Sequence, residues 1–244
     1  LVAVAHGSRD PRSAATVAEL LDVVRARRPE SDVRAAFLDL STPHLIDVLA
    51  AVHDEGHREV IVTPLLLGRA FHARVDLPTL IDQAHAMFPR LSVTVTDVLG
   101  PDARLEAAAL RRLSEIGVVP GNPDVGVVFA ATGSSHAPAN ARLHEVADRW
   151  ARTMGWSGVR TAFASAVEPG VPAAVAALRA RGARQVVVAS WFLAPGLLPD
   201  RVIAQATAAD PEVLVADPLG PAVEVADLVL DRYDSVRFAA VRSA

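Results

Sequence analysis

The sequence predicts an α/β protein of two similar units, each a four-stranded parallel sheet with helices on both faces. Three observations predict it. Short apolar runs alternate with amphipathic segments along the whole chain, which is the pattern of β–α units. One run, Glu59 to Leu67, is continuously apolar, as expected of a strand covered on both faces. The chain also repeats itself: Val2-Ala3-Val4-Ala5-His6-Gly7-Ser8 recurs as Val128-Phe129-Ala130-Ala131-Thr132-Gly133-Ser134, at an offset of 126 positions that holds without a gap for more than sixty residues. Pro43 matches Pro169, Gly56 matches Gly182 and Arg58 matches Arg184 at the same offset.

The elements follow in order. Leu1 to Ala5 is a buried strand feeding a turn at His6-Gly7-Ser8-Arg9. Ser13 is placed to cap a helix whose apolar positions Val17, Leu20, Leu21 and Val24 keep helical spacing. Val33 to Asp39 reads as the second strand. Pro43 stands early in a helix carrying Leu45, Ile46, Leu49 and Val52, where proline is tolerated. After the Glu59 to Leu67 strand come a helix from Leu77 to Phe88, a strand from Ser92 to Thr96, and a helix opened by Gly100-Pro101 and reaching Ile116.

Pro120, Gly121, Asn122 and Pro123 mark a linker, which divides the chain into units at 1–118 and 124–244 joined by 119–123. Strands of the second half are expected at Val125–Ala131, Val159–Ala164, Gln185–Ser190 and Val213–Ala216. Leu219-Gly220-Pro221 echoes Leu99-Gly100-Pro101 at an offset of 120, so six residues are missing from the second copy, downstream of His72 and its counterpart.

Composition narrows the function classes. The chain has 244 residues, 51% of them hydrophobic, enough for a core in each unit. No apolar run approaches the roughly 18 residues of a membrane span, and no signal peptide is visible. Cysteine is absent, which excludes disulfides and thiolate chemistry and suits a reducing cytoplasm. All 24 basic residues are Arg, so Schiff-base lysines and the P-loop lysine are excluded. Nothing in a net charge of −4 suggests a nucleic-acid partner. HExxH, GxSxG and dinucleotide fingerprints are also missing.

The two copies disagree at polar positions. His6 is replaced by Thr132, Asp39 by Ser165 and His72 by Leu198. In open parallel sheets ligands bind outside the carboxyl ends of the strands. His6 ends the first strand, Asp39 ends the second, and His72 lies on the loop after the third, so all three belong to one sheet edge. Each has a plain structural alternative: a histidine bonded within its turn, a helix-capping aspartate, an exposed loop histidine. Thr132 shows that the turn can be built without imidazole. Two imidazoles and a carboxylate suit Zn, Fe, Co or Ni, and the same groups accept protons near neutrality. Arg9, Arg12, Arg69 and Arg74 flank the histidines and suit a polycarboxylate or phosphate, or are simply solvated. Trp191-Phe192 replaces Leu65-Leu66 and reads as core or as a wall for a flat ligand. The remaining histidines read as surface or packing residues.

Three blocks carry a resemblance: the strand ending His6-Gly7-Ser8-Arg9, Phe37-Leu38-Asp39 followed by Pro43, and Pro64-Leu65-Leu66-Leu67…His72…Asp76-Leu77-Pro78. Together they resemble the class II tetrapyrrole chelatases, in the sirohydrochlorin cobaltochelatase and ferrochelatase family. The second half resembles the partner domain of the two-domain forms. The resemblance implies ATP-independent insertion of Co2+ or Fe2+, with Ni2+ a third option, into sirohydrochlorin for cobalamin or sirohaem synthesis. It implies that His6 and His72 hold the metal and that Asp39 assists, at a position where the family usually has Glu. Ala70 stands where glycine is common. Ser8, Arg9, Arg69 and Arg74 would then face the tetrapyrrole, in a cleft between the domains. No cofactor beyond the metal substrate, no nucleic acid and no membrane is implied, and the protein would be a cytoplasmic monomer or weak dimer. The alternative is a tetrapyrrole- or metal-binding carrier without turnover.

Overall fold

The computed structural model describes residues 1–68, 75–165 and 167–242. The first half runs β1 (Val2–Ala5), α1 (Pro11–Arg27), β2 (Arg34–Phe37), α2 (Leu45–Asp54), β3 (Glu59–Pro64), α3 (Leu77–Met87), β4 (Ser92–Val95) and α4 (Ala103–Glu115). The second half runs β5 (Val125–Ala131), α5 (Ala137–Thr153), β6 (Gly158–Phe163), α6 (Val171–Ala180), β7 (Gln185–Ser190), α7 (Leu197–Ala209), β8 (Leu214–Val215) and α8 (Val223–Arg242). Among the described residues no helix is long and apolar enough to cross a membrane.

Both sheets are parallel and four-stranded, in the orders β2-β1-β3-β4 and β6-β5-β7-β8. The register repeats too. Val2 pairs with Arg34 and Val62, and its counterpart Val128 pairs with Arg160 and Val188. Alternation along the strands sorts the core. Val2, Val4, Val60 and Val62 pack with Leu45 and Leu49 of α2 and Leu77 and Ile81 of α3. Right-handed crossovers then put α1 on the opposite face, because the chain leaves β1 toward one neighbour and reaches β3 on the other side.

Three local expectations are corrected. The α1 cap is Asp10, whose carboxylate accepts the Arg12 N–H at 3.0 Å with Pro11 as first helical residue, so Ser13 is already inside the helix. Pro43 lies ahead of α2: its carbonyl accepts the Phe37 N–H at 3.0 Å, which holds 43–44 extended beside β2 until the helix starts at Leu45. The missing six residues fall between the third strand and the following helix, the segment of sequence that contains His72. The chain between β3 and α3 covers positions 65–76, that between β7 and α7 only 191–196. Leu198 is therefore the second residue of α7, packed on the core. It thus falls within a helix of the second copy, whereas His72 precedes α3 in the sequence, so the two are not equivalent positions.

The compact units do not follow the repeat. One comprises Leu1–Arg104 with Gly220–Ala244, the other Leu105–Leu219. Each includes the closing helix of the other half of the sequence: α8 belongs to the first unit, and most of α4 to the second. In the first unit α8 packs on α1 and β3. Arg28 bonds Asp234 through both carboxylate oxygens at 3.0 and 2.7 Å, and the Arg232 guanidinium donates to the Val98 carbonyl at 3.0 Å. In the second unit the Trp150 indole donates to Glu106 of α4 at 3.0 Å, and Arg149 pairs with the same carboxylate. An amphipathic helix declares that one face is buried, not what buries it.

Candidate active site at the carboxyl edge of the first sheet

β1 sits between β2 and β3, and the chain departs from it in opposite directions at the β1/β3 boundary. That is the switch point at which open α/β sheets bind ligands. His6 follows β1 directly and is half-buried. Asp39 lies two residues beyond β2, exposed, and its backbone N–H donates to the His6 carbonyl at 3.0 Å. The ladder of β1 and β2 thus runs one step past the strands and sets the imidazole-bearing and carboxylate-bearing residues side by side.

Gly7 makes this approach possible. Its φ is 95°, and a Cβ there would lie 1.7 Å from the Asp39 carbonyl oxygen. Leu40 also has a left-handed backbone, with φ 61°, unusual for a residue with a side chain. That conformation turns its N–H back onto the Asp39 carboxylate, where Oδ1 accepts it at 2.7 Å. Strain of this kind collects at functional sites. One Asp39 oxygen is thereby oriented while the carboxylate stays open to solvent.

The loops are tied a second time. The Ser8 N–H donates to Ser41 Oγ at 2.9 Å, and the Ser41 hydroxyl donates to the Ser8 carbonyl at 2.9 Å. Ser8 Oγ accepts the Asp10 N–H at 3.0 Å. The structure therefore places the Ser8 hydroxyl inside the turn. Arg9 is exposed at the same edge. Arg12 is committed to Asp10 at 2.5 Å, and its guanidinium holds that carboxyl below the usual range. His72, Arg69 and Arg74, between β3 and α3 in the sequence, lie outside the described residues. Leu40 and Ser41 escape sequence reasoning. The one available signal is that Val167 stands at the Ser41 position of the second copy.

A different grouping, Asp32, Glu55 and His57, has ligand atoms within 4.8 Å of one another at the opposite, amino edge of the sheet. Arg34 bonds both carboxylates there and lowers the pKa of each, so a cation already occupies the cluster. In the second unit the equivalent carboxyl edge keeps the turn. The Ser165 N–H donates to the Thr132 carbonyl at 3.0 Å, and a Cβ on Gly133 would lie 2.2 Å from the Ser165 oxygen. A hollow of about 480 Å³ opens beside it, with Ser165, Glu168 and Gln205 in its wall.

Comparison with known proteins matches this architecture. A family model described as CbiX matches residues 1–116 and again 126–236. A sirohydrochlorin cobaltochelatase of Priestia megaterium is 27% identical over 203 residues, covering 82% of this chain and 65% of that relative, just under two thirds of its length. A sirohydrochlorin ferrochelatase of the same organism is 24% identical over 199 residues, covering 82% of this chain and 74% of the other. The solved structure of SirB from Bacillus subtilis with Fe3+ superposes with a TM-score of 0.80 at 23% identity, covering 96% of this chain and 93% of that one.

Proposed function

This chain belongs to the CbiX family, and on that premise we propose that it inserts a divalent metal ion, Co2+ or Fe2+, into sirohydrochlorin without ATP. The observation that carries the reading is the family match through both halves of the chain. The polar groups on the first sheet edge give that match a chemistry.

Insertion exchanges two pyrrole protons for one M2+, which must first shed water. Neutral His6 and His72 can hold the incoming ion or accept a pyrrole proton. Asp39 lowers the cost of bringing a dication and a departing proton to the same edge. Imidazole with carboxylate serves Co2+, Fe2+ and Ni2+ alike, so the donor set does not choose among them. Arg9, Arg69 and Arg74 receive peripheral carboxylates of the macrocycle, a task suited to the planar guanidinium. Ser8 contributes through the shape of its turn, since its hydroxyl is held by the Asp10 N–H. Neither nucleotide nor redox cofactor enters this scheme. The proposed setting is the cytoplasm, which a chain without cysteine suits, and the proposed state is a monomer or weak dimer.

The test is the absorbance of sirohydrochlorin mixed with Co2+, Fe2+ or Ni2+, with and without the purified protein. Spectral conversion by catalytic amounts of protein, with Co2+ or Fe2+, is the expected result. Conversion no faster than in protein-free solution would instead favour a carrier that binds without turnover.

A further inference from the structure

The repeat offers an internal comparison around Ser41. In the first unit the carbonyl and N–H of Ser8 are both held by the Ser41 hydroxyl, each at 2.9 Å. A hydroxyl can donate and accept at once. This joins the loop bearing His6 to the loop bearing Asp39. In the second unit the same two backbone groups, on Ser134, are held by Asn140: its Oδ1 accepts at 2.9 Å and its Nδ2 donates at 2.7 Å. Asn140 belongs to α5, the helix that the turn itself leads into. Position 167, equivalent to Ser41, is Val, whose side chain has no polar atom to offer.

The two copies therefore satisfy the same turn in different ways. In the first copy the Ser8 backbone is held from the neighbouring loop. In the second the Ser134 backbone is held from its own helix, and the neighbouring loop reaches the turn earlier, where the Ser165 hydroxyl donates to the Thr132 carbonyl at 3.1 Å. The tie through position 41 to the Ser8 backbone is present in the copy that has His6 and Asp39, where the separation of the two loops matters for chemistry. Position 14, equivalent to Asn140, is Ala, at the fourth residue of α1 just as Asn140 is at the fourth of α5.

We propose that Ser41 is a positioning residue for metal insertion: the ladder bond from the Asp39 N–H to the His6 carbonyl brings the two loops together, and the Ser41–Ser8 pair beyond it holds them from shifting, which fixes the separation of the His6 and Asp39 side chains. This rests on the chelatase reading. Its own contribution is that the hydroxyl acts on geometry, beyond merely stabilising the turn. Small displacements of reacting groups cost about tenfold to a hundredfold in rate.

The experiment compares wild type, Ser41→Ala and the double variant Ala14→Asn/Ser41→Ala in the insertion assay, with Tm for each. Asn at position 14 supplies the second copy's way of holding the turn. Ser41→Ala should lower kcat by about tenfold to a hundredfold, with an unchanged KM for sirohydrochlorin, and should lower Tm. The double variant should regain Tm and stay slow. Recovery of kcat in the double variant would mean that Ser41 only stabilises the turn, and would overturn the proposal. So would an undiminished kcat in Ser41→Ala. A wild type that inserts no metal would overturn the chelatase reading, and the proposal with it.

Discussion

Gly7 is a residue whose replacement the site tolerates poorly, and a second glycine shows why. Gly7 and Gly56 have nearly the same backbone, with φ 95° and 93°. A Cβ on Gly56 meets nothing within 4 Å, whereas on Gly7 it would overlap the Asp39 carbonyl. Gly56→Ala should therefore cost about 1–2 kcal/mol, the price of a left-handed L-residue. Gly7→Ala should cost at least about 2 kcal/mol more, as only a large backbone shift relieves it. Denaturant unfolding of the two variants measures the difference; equal losses would show that the two loops are not in contact. Much of this site is legible in the sequence, because Thr132 and Ser165 mark His6 and Asp39 as dispensable to the fold. Ser41 is not, since its role depends on another loop coming within hydrogen-bond reach. Leu198 misleads as the counterpart of His72, because an ungapped offset is carried past the point where the shorter loop removes six residues.

At the scale of elements, hydrophobic periodicity places the strands and most helices, and the parallel β–α rhythm yields the sheet class. The destination of α4 and α8 stays hidden, because their patterns are satisfied equally by either sheet. The exchange has a measurable consequence. Val225, Leu228 and Val229 of α8 are fully buried, and removing three such side chains forfeits about 5–9 kcal/mol. That is comparable with the whole stability of a domain, about 5–15 kcal/mol. A fragment of residues 1–118, cut at the linker, keeps its sheet but lacks α8 and should show no cooperative thermal transition by circular dichroism. Adding residues 119–244 should restore one. A cooperative transition in 1–118 alone would mean that α8 is dispensable to the first unit.

The whole molecule pairs two copies of one scaffold that have kept the same strand order, register and turn geometry while diverging in polar groups. The family match over both halves accounts for the common scaffold. The divergence is the ground for proposing that the chemistry lies at one sheet edge: the first copy holds an imidazole and a carboxylate on adjoining strand ends, and the second holds Thr132 and Ser165 there. The most direct test is the rate of Co2+ insertion into sirohydrochlorin by His6→Ala beside Thr132→Ala, its counterpart in the other copy. His6→Ala should lose at least about a hundredfold while remaining folded, and Thr132→Ala should match wild type. Wild-type turnover by His6→Ala would contradict the assignment of the chemistry to the first copy.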